Sequence, residues 1–336
     1  MTAILDTVLL LALPASGKSE VRRYLAGLPP EQCVADMHLG PTLQLDDYPY
    51  VHLMHVIDDA LVNLGAEPVF FIGPVRPFRD PLEWGTLIEL LNEDYARLLA
   101  RETLTADSAA ELLFDRLDAA RSRIGLSRDL EKLPHRIWKA AARAVEREAR
   151  RELDLLNETT RQDRTGKTIV IEAARGGPHG AAFPLTPPRG YAYSLAAFSE
   201  SVLAHASILY VRVSPEESRR KNLERGRPDG QGSILFHAVP LEVMLGEYGN
   251  DDMMWLVSQS DVADTVRIDK VVAAGDRYVQ HAFHLPVAVF DNRGDLTTFV
   301  REDPSGWAAD DVRRIHEGLS GGFATLAGRP GPHLLG

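Results

Sequence analysis

Cysteine is almost absent. Cys33 is the one thiol among 336 residues, which excludes a disulfide framework and any zinc site built on paired cysteines. Basic charge is in deficit: 37 Lys and Arg stand against 48 Asp and Glu, a formal net charge of −11. A chain of that balance is a poor general binder of nucleic acid, and its aromatic residues, 7% of the total, are not interleaved with basic ones as single-strand binding requires. No apolar run approaches the roughly 20 residues needed to cross a bilayer. The first such run, Val8 to Leu13, is short and follows Asp6 rather than a Lys or Arg, so it does not read as a secretory signal. What remains is ordinary globular composition, 45% hydrophobic and 25% charged, long enough for two domains or for one α/β domain with insertions. The expected setting is cytoplasmic, with neither membrane nor nucleic acid as a partner.

The informative stretch is Asp6 to Ser19, DTVLLLALPASGKS. Val8 to Leu13 has the continuity of a strand buried on both faces. The chain then turns through Pro14, Ala15, Ser16 and Gly17 into Lys18 and Ser19, and Glu20 to Leu25 reads as the first turns of a helix. Strand, small-residue turn, Lys-Ser and helix form the context of a phosphate-binding loop, G-x-x-x-x-G-K-[ST], with Ala12 where the first glycine is usual. The expected nucleotide-binding residues are therefore Pro14, Ala15, Ser16, Gly17, Lys18, Ser19 and Glu20. The turn and the helix N-terminus aim backbone N–H groups at one spot and favour an anion there. Lys18 reaches the β- and γ-phosphate oxygens, and the Ser19 hydroxyl sits on Mg²⁺.

Further along, Thr42–Leu45 reads as a short strand with Asp46 and Asp47 at its carboxyl end, where ligands sit in open parallel sheets. Either acid can take a proton from an attacking hydroxyl or hold Mg²⁺ through water; either can equally cap the helix expected over Tyr50–Leu64. His52 and His55 have metal-binding spacing but no third ligand, and read as a polar helix face. Pro68–Ile72 is expected to be a strand, followed by a proline-rich loop in which Arg76 and Arg79 are either phosphate contacts or surface residues. Thr86–Thr160 is expected to be mostly helical, with the Arg/Glu/Ala-rich run Ile137–Leu156 a solvated helix. Arg164 to Thr168 imitates a phosphate loop but precedes its strand, and is a turn. The strand Thr168–Glu172, TIVIE, ends in an acid able to hold the water shell of Mg²⁺. Arg175 lies three residues on, at the same edge.

Tyr193–Ala204 is expected as a helix and Ser207–Val213 as a strand. Ser214, Pro215 and Glu217 then make a capping box for a helix carrying Arg219 and Arg225, with Arg227 just beyond. Residues Pro228 to Asp264, with Asp251 and Asp252, are expected to form a lid or acceptor-facing segment. Pro286–Phe290 reads as the last strand, with Asn292 in the loop after it and a poorly ordered tail from Gly318.

ALPASGKS after the first strand, LDDY after the second, TIVIE, and SPEESRRKNLERGR after SILYVRV together resemble the P-loop small-molecule kinases of the nucleoside and nucleotide kinase superfamily. The resemblance implies a P-loop three-layer α/β sandwich with a mostly parallel sheet, a helical insertion and a lid-like segment. It divides the chain into core 1–83, insertion 84–165, core 166–227 with the arginine helix, lid or acceptor segment 228–285, last strand and helix 286–317, and tail 318–336. It implies ATP and Mg²⁺ as cofactors, and phosphoryl transfer to a small-molecule acceptor, a nucleoside or nucleotide first. Lys18, Asp46, Asp47, Arg219 and Arg225 would be catalytic, Ser19, Asp46 and Glu172 would hold the metal, and Asn292 would lie near the base. Two alternatives remain open: an ATPase or GTPase coupled to a conformational change or a partner, and a nucleotide-binding protein without turnover.

Overall fold

The computed structural model describes residues 4–74, 76–225, 238–275 and 277–328. Its centre is β1 (Thr7–Leu11), where every residue is buried. Alternate side chains of a strand point to opposite faces. Leu9 and Leu11 go one way with Ile169, Ile171, Ile208 and Tyr210; Val8 and Leu10 go the other with Val170, Leu209 and Val211. Both faces being apolar, helices cover both.

The sheet has the order β2-β3-β1-β4-β6-β5, where β2 is Thr42–Asp46, β3 Thr168–Ala173, β4 Ala206–Arg212, β5 Thr265–Ala274 and β6 Arg277–Asp291. All pairs are parallel except β5 with β6. On the Val8 face lie α1 (Lys18–Ala26), α2 (Pro30–Met37) and the C-terminal helix Ala309–Ala327. The Leu9 face is covered by α4 (Glu83–Ala100), α7 (Gly190–Ala197), α8 (Glu200–Leu203) and Met253–Gln259. Beyond α4, a second apolar cluster joins α3 (Tyr48–Asn63), α5 (Ala109–Arg123) and α6 (His135–Arg161). The chain leaves β1 toward β2 and leaves β3 in the opposite direction toward β4. In open α/β sheets that reversal opens a crevice at the carboxyl ends of the strands. Among the described residues, no helix is long and apolar enough to cross a membrane.

Several expectations shift. The 68–72 segment is no strand: the amides of Val69, Phe70 and Phe71 donate to the buried carboxylate of Asp58 at 2.7–3.2 Å, which occupies donors that a ladder would need. The expected helix over 193–204 is two, α7 and α8, parted at Phe198 and Ser199, whose hydroxyl caps α8. The segment after Asp264 is a long antiparallel hairpin, so the last strand begins at Arg277 and not at Pro286. From Gly318 the chain continues as helix to Ala327 because Ile315, Leu319, Phe323 and Leu326 make a buried stripe. Asp251 and Asp252 serve packing: Asp251 accepts from Tyr210 Oη, and Asp252 accepts from the first amides of α7.

Candidate active site

The loop after β1 is held at three carbonyls. Tyr191 Oη donates to Ala12 O at 2.9 Å, and Ser218 Oγ, on α9 (Pro215–Arg225), donates to Pro14 O at 2.7 Å. Asn292 Nδ2 donates to Ser16 O at 2.6 Å and to Thr297 Oγ1 at 2.9 Å. Ala12 is fully buried against the sheet core, so its methyl fills apolar space. Ala15 and Gly17 both have positive φ, +54° and +106°. At Gly17 an added Cβ would come within 2.5 Å of Thr297 Oγ1 and 2.7 Å of Asn292 Nδ2. Gly17→Ala therefore combines a left-handed strain with a collision against the brace. We expect it to lower unfolding stability by about 1–3 kcal/mol, read as a shifted denaturation midpoint; an unshifted midpoint would show that the brace yields freely.

This geometry leaves donors without partners. Val21 N bonds Gly17 O and the Glu20 amide meets its own carboxylate, but the amides of Ala15 through Ser19 find no acceptor among the described residues. The first turn of any helix has such orphans; here they follow a turn with two left-handed residues, which concentrates N–H groups on one concavity. Ser16 Oγ is buried and also lacks a partner. An anion with several acceptor oxygens fits this donor set.

Lys18 crosses from the loop to β3, donating from Nζ to Ala173 O at 2.9 Å. Burial pulls its ammonium below the ordinary lysine range, against the opposing charges of Glu172, Asp47 and Asp46. These acids are neighbours because β2 and β3 pair in register, Asp46 beside Glu172. Asp46 Oδ1 accepts from Tyr48 N at 2.9 Å and so caps α3, but burial and the charges of Glu172 and Asp47 push its carboxyl up to about 7. Asp47, the residue nearer the helix, makes no cap bond. Its Oδ2 instead takes Arg175 Nη1 at 2.5 Å. Arg175 is 2% exposed, donates from Nε to Ser194 Oγ, lies 4.9 Å over the Trp84 ring, and keeps Nη2 unpartnered. Glu172 Oε1 lies 2.6 Å from Arg22 Nη1, yet the guanidinium approaches off the N–H axis, so the contact is ionic without an aligned hydrogen bond.

Of the arginines expected on α9, Arg219 pairs with Glu216 through Nη2 and leaves Nη1 buried without an acceptor. Arg225 turns back onto Glu20 at 3.3 Å, and Arg301 binds the same carboxylate at 2.7 Å. Despite burial, the two arginines hold Glu20 below the usual range. The Glu20 side chain thus ties the first turn of α1 to Arg225 and Arg301. Arg227 lies outside the described residues. Asn292, expected beside a base, is buried, with its side chain occupied by Ser16, Thr297 and the amide of Leu296. Arg76 pairs at the surface with Glu242, while His52 binds Glu148 and His55 stacks on Phe71, so the two histidines share no ligand. The sequence reading does not single out Arg22 or Thr297, and it notes Arg175 only for its place at the strand edge. Among the described residues, no three His, Cys, Asp or Glu side chains are grouped to hold a metal. Comparison of the chain with family models, with characterised proteins and with solved structures finds no match.

Proposed function

We propose that this protein is an ATP- and Mg²⁺-dependent phosphotransferase of the P-loop kind, a three-layer sandwich that moves a γ-phosphoryl group to a small-molecule acceptor. Nucleosides and nucleotides are the first acceptors to test. One observation carries the reading: Lys18, at the start of a helix with unpartnered amides, sits among Asp46, Asp47 and Glu172 at the carboxyl edge of three adjacent strands. A lysine so placed neutralises phosphate oxygens, and an acid titrating near 7 beside it is poised as a general base.

The donor set fits a nucleotide phosphate chain: the amides of Ala15–Ser19 and Ser16 Oγ are groups with nothing to bind among the described residues. The neighbouring acids, Asp46 beside Glu172, suit Mg²⁺, which ordinarily keeps several waters and takes one or two carboxylates together with phosphates rather than an all-protein cage; Ser19 and either Asp46 or Glu172 would hold it. Bound MgATP supplies the transferable phosphoryl group and the metal's charge. The chain supplies the rest. Lys18 and the loop amides stabilise developing charge. Asp46 accepts the proton of the acceptor hydroxyl. Asp47 fixes Arg175, and Arg219 offers its unpartnered Nη1 from a helix tied to the loop by Ser218. Glu172 is engaged by Arg22, which disfavours it as the base of a hydrolase.

The test is label transfer from γ-labelled ATP with Mg²⁺ to a panel of nucleosides, nucleotides, sugars and amino-alcohols. A labelled acceptor that depends on Lys18 supports the kinase. Label released only as free phosphate would replace it with an ATPase.

A further inference from the structure

Behind the loop, on the Val8 face of the sheet, lies a cavity of about 660 Å³. Its floor is Val8, Leu10 and Val170, and its walls include Leu25 and Leu39. That size is in the range of small-molecule sites, and so apolar a floor favours hydrocarbon over water. Ser19, Thr42, Gln44, Arg22 and Arg23 are the polar residues of its lining. The Gln44 carboxamide has an oxygen without a donor, and Arg22 stands on the wall. Arg23, also on the wall, is committed: its guanidinium donates to Arg301 O and Glu302 O at 2.9 and 3.2 Å. Arg22 has only Glu172, held off-axis, and its side chain is 36% exposed. By strand alternation Val170 and Glu172 face the same side, as do Gln44 and Asp46. The cavity and the carboxylates Glu172 and Asp46 therefore share a face of the sheet, and Arg22 lines the one and contacts Glu172 of the other.

We propose that this cavity binds a small aliphatic carboxylate, its chain on the Val8–Leu10–Val170 floor and its head on Arg22. A ligand carboxylate presents the same group that Arg22 now meets in Glu172, with freedom to align both oxygens to the guanidinium fork. A neutral tail alone gains the apolar contact but not this bond. Where the neighbouring loop holds a nucleotide, as proposed above, drawing Arg22 from Glu172 makes the ligand a regulator of that loop; the binding itself does not rest on that reading.

The chain carries its own reporter, because Cys33, the one cysteine, lines the cavity. The experiment measures the rate at which a chromogenic disulfide reagent labels Cys33 in the full-length protein, with decanoate or decanol added below their aggregation limits. Decanoate is expected to slow labelling several-fold, and to half-saturate at about one-tenth of the decanol concentration, the factor one charge-assisted bond supplies. Arg22→Ala should raise the decanoate value about tenfold and leave decanol unchanged. Val170→Phe should abolish protection by both; Gln44→Phe, from a half-buried position, fills the same space should that variant not fold. Labelling indifferent to decanoate, or equal protection by both compounds before and after Arg22→Ala, would overturn the proposal. Because labelling needs no nucleotide and no turnover, its failure is distinct from failure of the kinase reading.

Discussion

Lys18→Ala removes phosphoryl transfer, with a loss of at least about 10³-fold in turnover. A single donor to a transition-state oxyanion is worth 10²–10³, and Lys18 adds a full charge to its hydrogen bonds. The variant also alters the resting protein. Lys18 is the cation that Asp46, Asp47 and Glu172 share, and without it burial and mutual repulsion act on those acids unopposed from that side. The fold is therefore best compared near pH 6, where Asp46, titrating at about 7, is mostly protonated. Lys18→Met keeps the side-chain bulk and separates lost charge from lost packing. The measurement is label transfer beside a thermal unfolding curve. Native-like unfolding without transfer is the expected pair of results; transfer at the wild-type rate would remove the whole reading.

Asp46→Asn comes next, at about 10²–10⁴-fold, the usual worth of a positioned general base. Its pH behaviour makes the test specific. A base must be ionised, so kcat/KM of the wild type should rise as pH increases through about 7 and then level, and the asparagine variant should lose that inflection. Stability should run the other way. The folded carboxyl titrates near 7 and the unfolded one near 3.8, so between those values the folded state holds the extra proton. Stability contributed at Asp46 is then lost as pH rises across that window. Asp46→Asn should accordingly be less active yet more stable than the wild type at pH 8, by equilibrium denaturation. Asp47→Ala is the contrast. It strands the buried charge of Arg175 and should cost about 3–5 kcal/mol of stability. Equal activities for Asp46→Asn and wild type would reduce Asp46 to the helix cap that its bond to Tyr48 already provides.

The parts of this site that could be read from the sequence are those set by neighbours in the chain. A buried strand, a turn of small residues and Lys-Ser at a helix start are local, and the loop stands where they point. Asp46 and Glu172 were legible as acids ending apolar strands, and in-register pairing then puts them side by side. Arg175 was visible at the strand edge, but its importance comes from Asp47, 128 residues earlier, and no periodicity reports such a pair. The apolar 68–72 run misled for a similar reason: its hydrophobicity suggested a strand, while Asp58 on the preceding helix took its amides. The β5–β6 hairpin escaped although Val266, Ile268 and Val272 alternate with exposed residues, because Lys270 interrupts that alternation and the start of β6 is exposed, as at Tyr278 (81% exposed). Asn292 was legible as a residue of the loop after the last strand, but its bond to Ser16, 276 positions earlier, was not.

That brace has a consequence for how the protein is made. Ser16 and the Asn292 that holds it are 276 positions apart. At 5–20 residues per second, a ribosome delivers the second roughly 15–55 s after the first. The strand preceding the loop waits as well, since both its sheet partners, β3 and β4, begin beyond residue 160. For most of translation the nascent chain therefore carries an apolar segment without its neighbours and a GKS turn without its support. An N-terminal fragment that ends before β3 therefore has the loop's sequence without the strands and side chains that hold it.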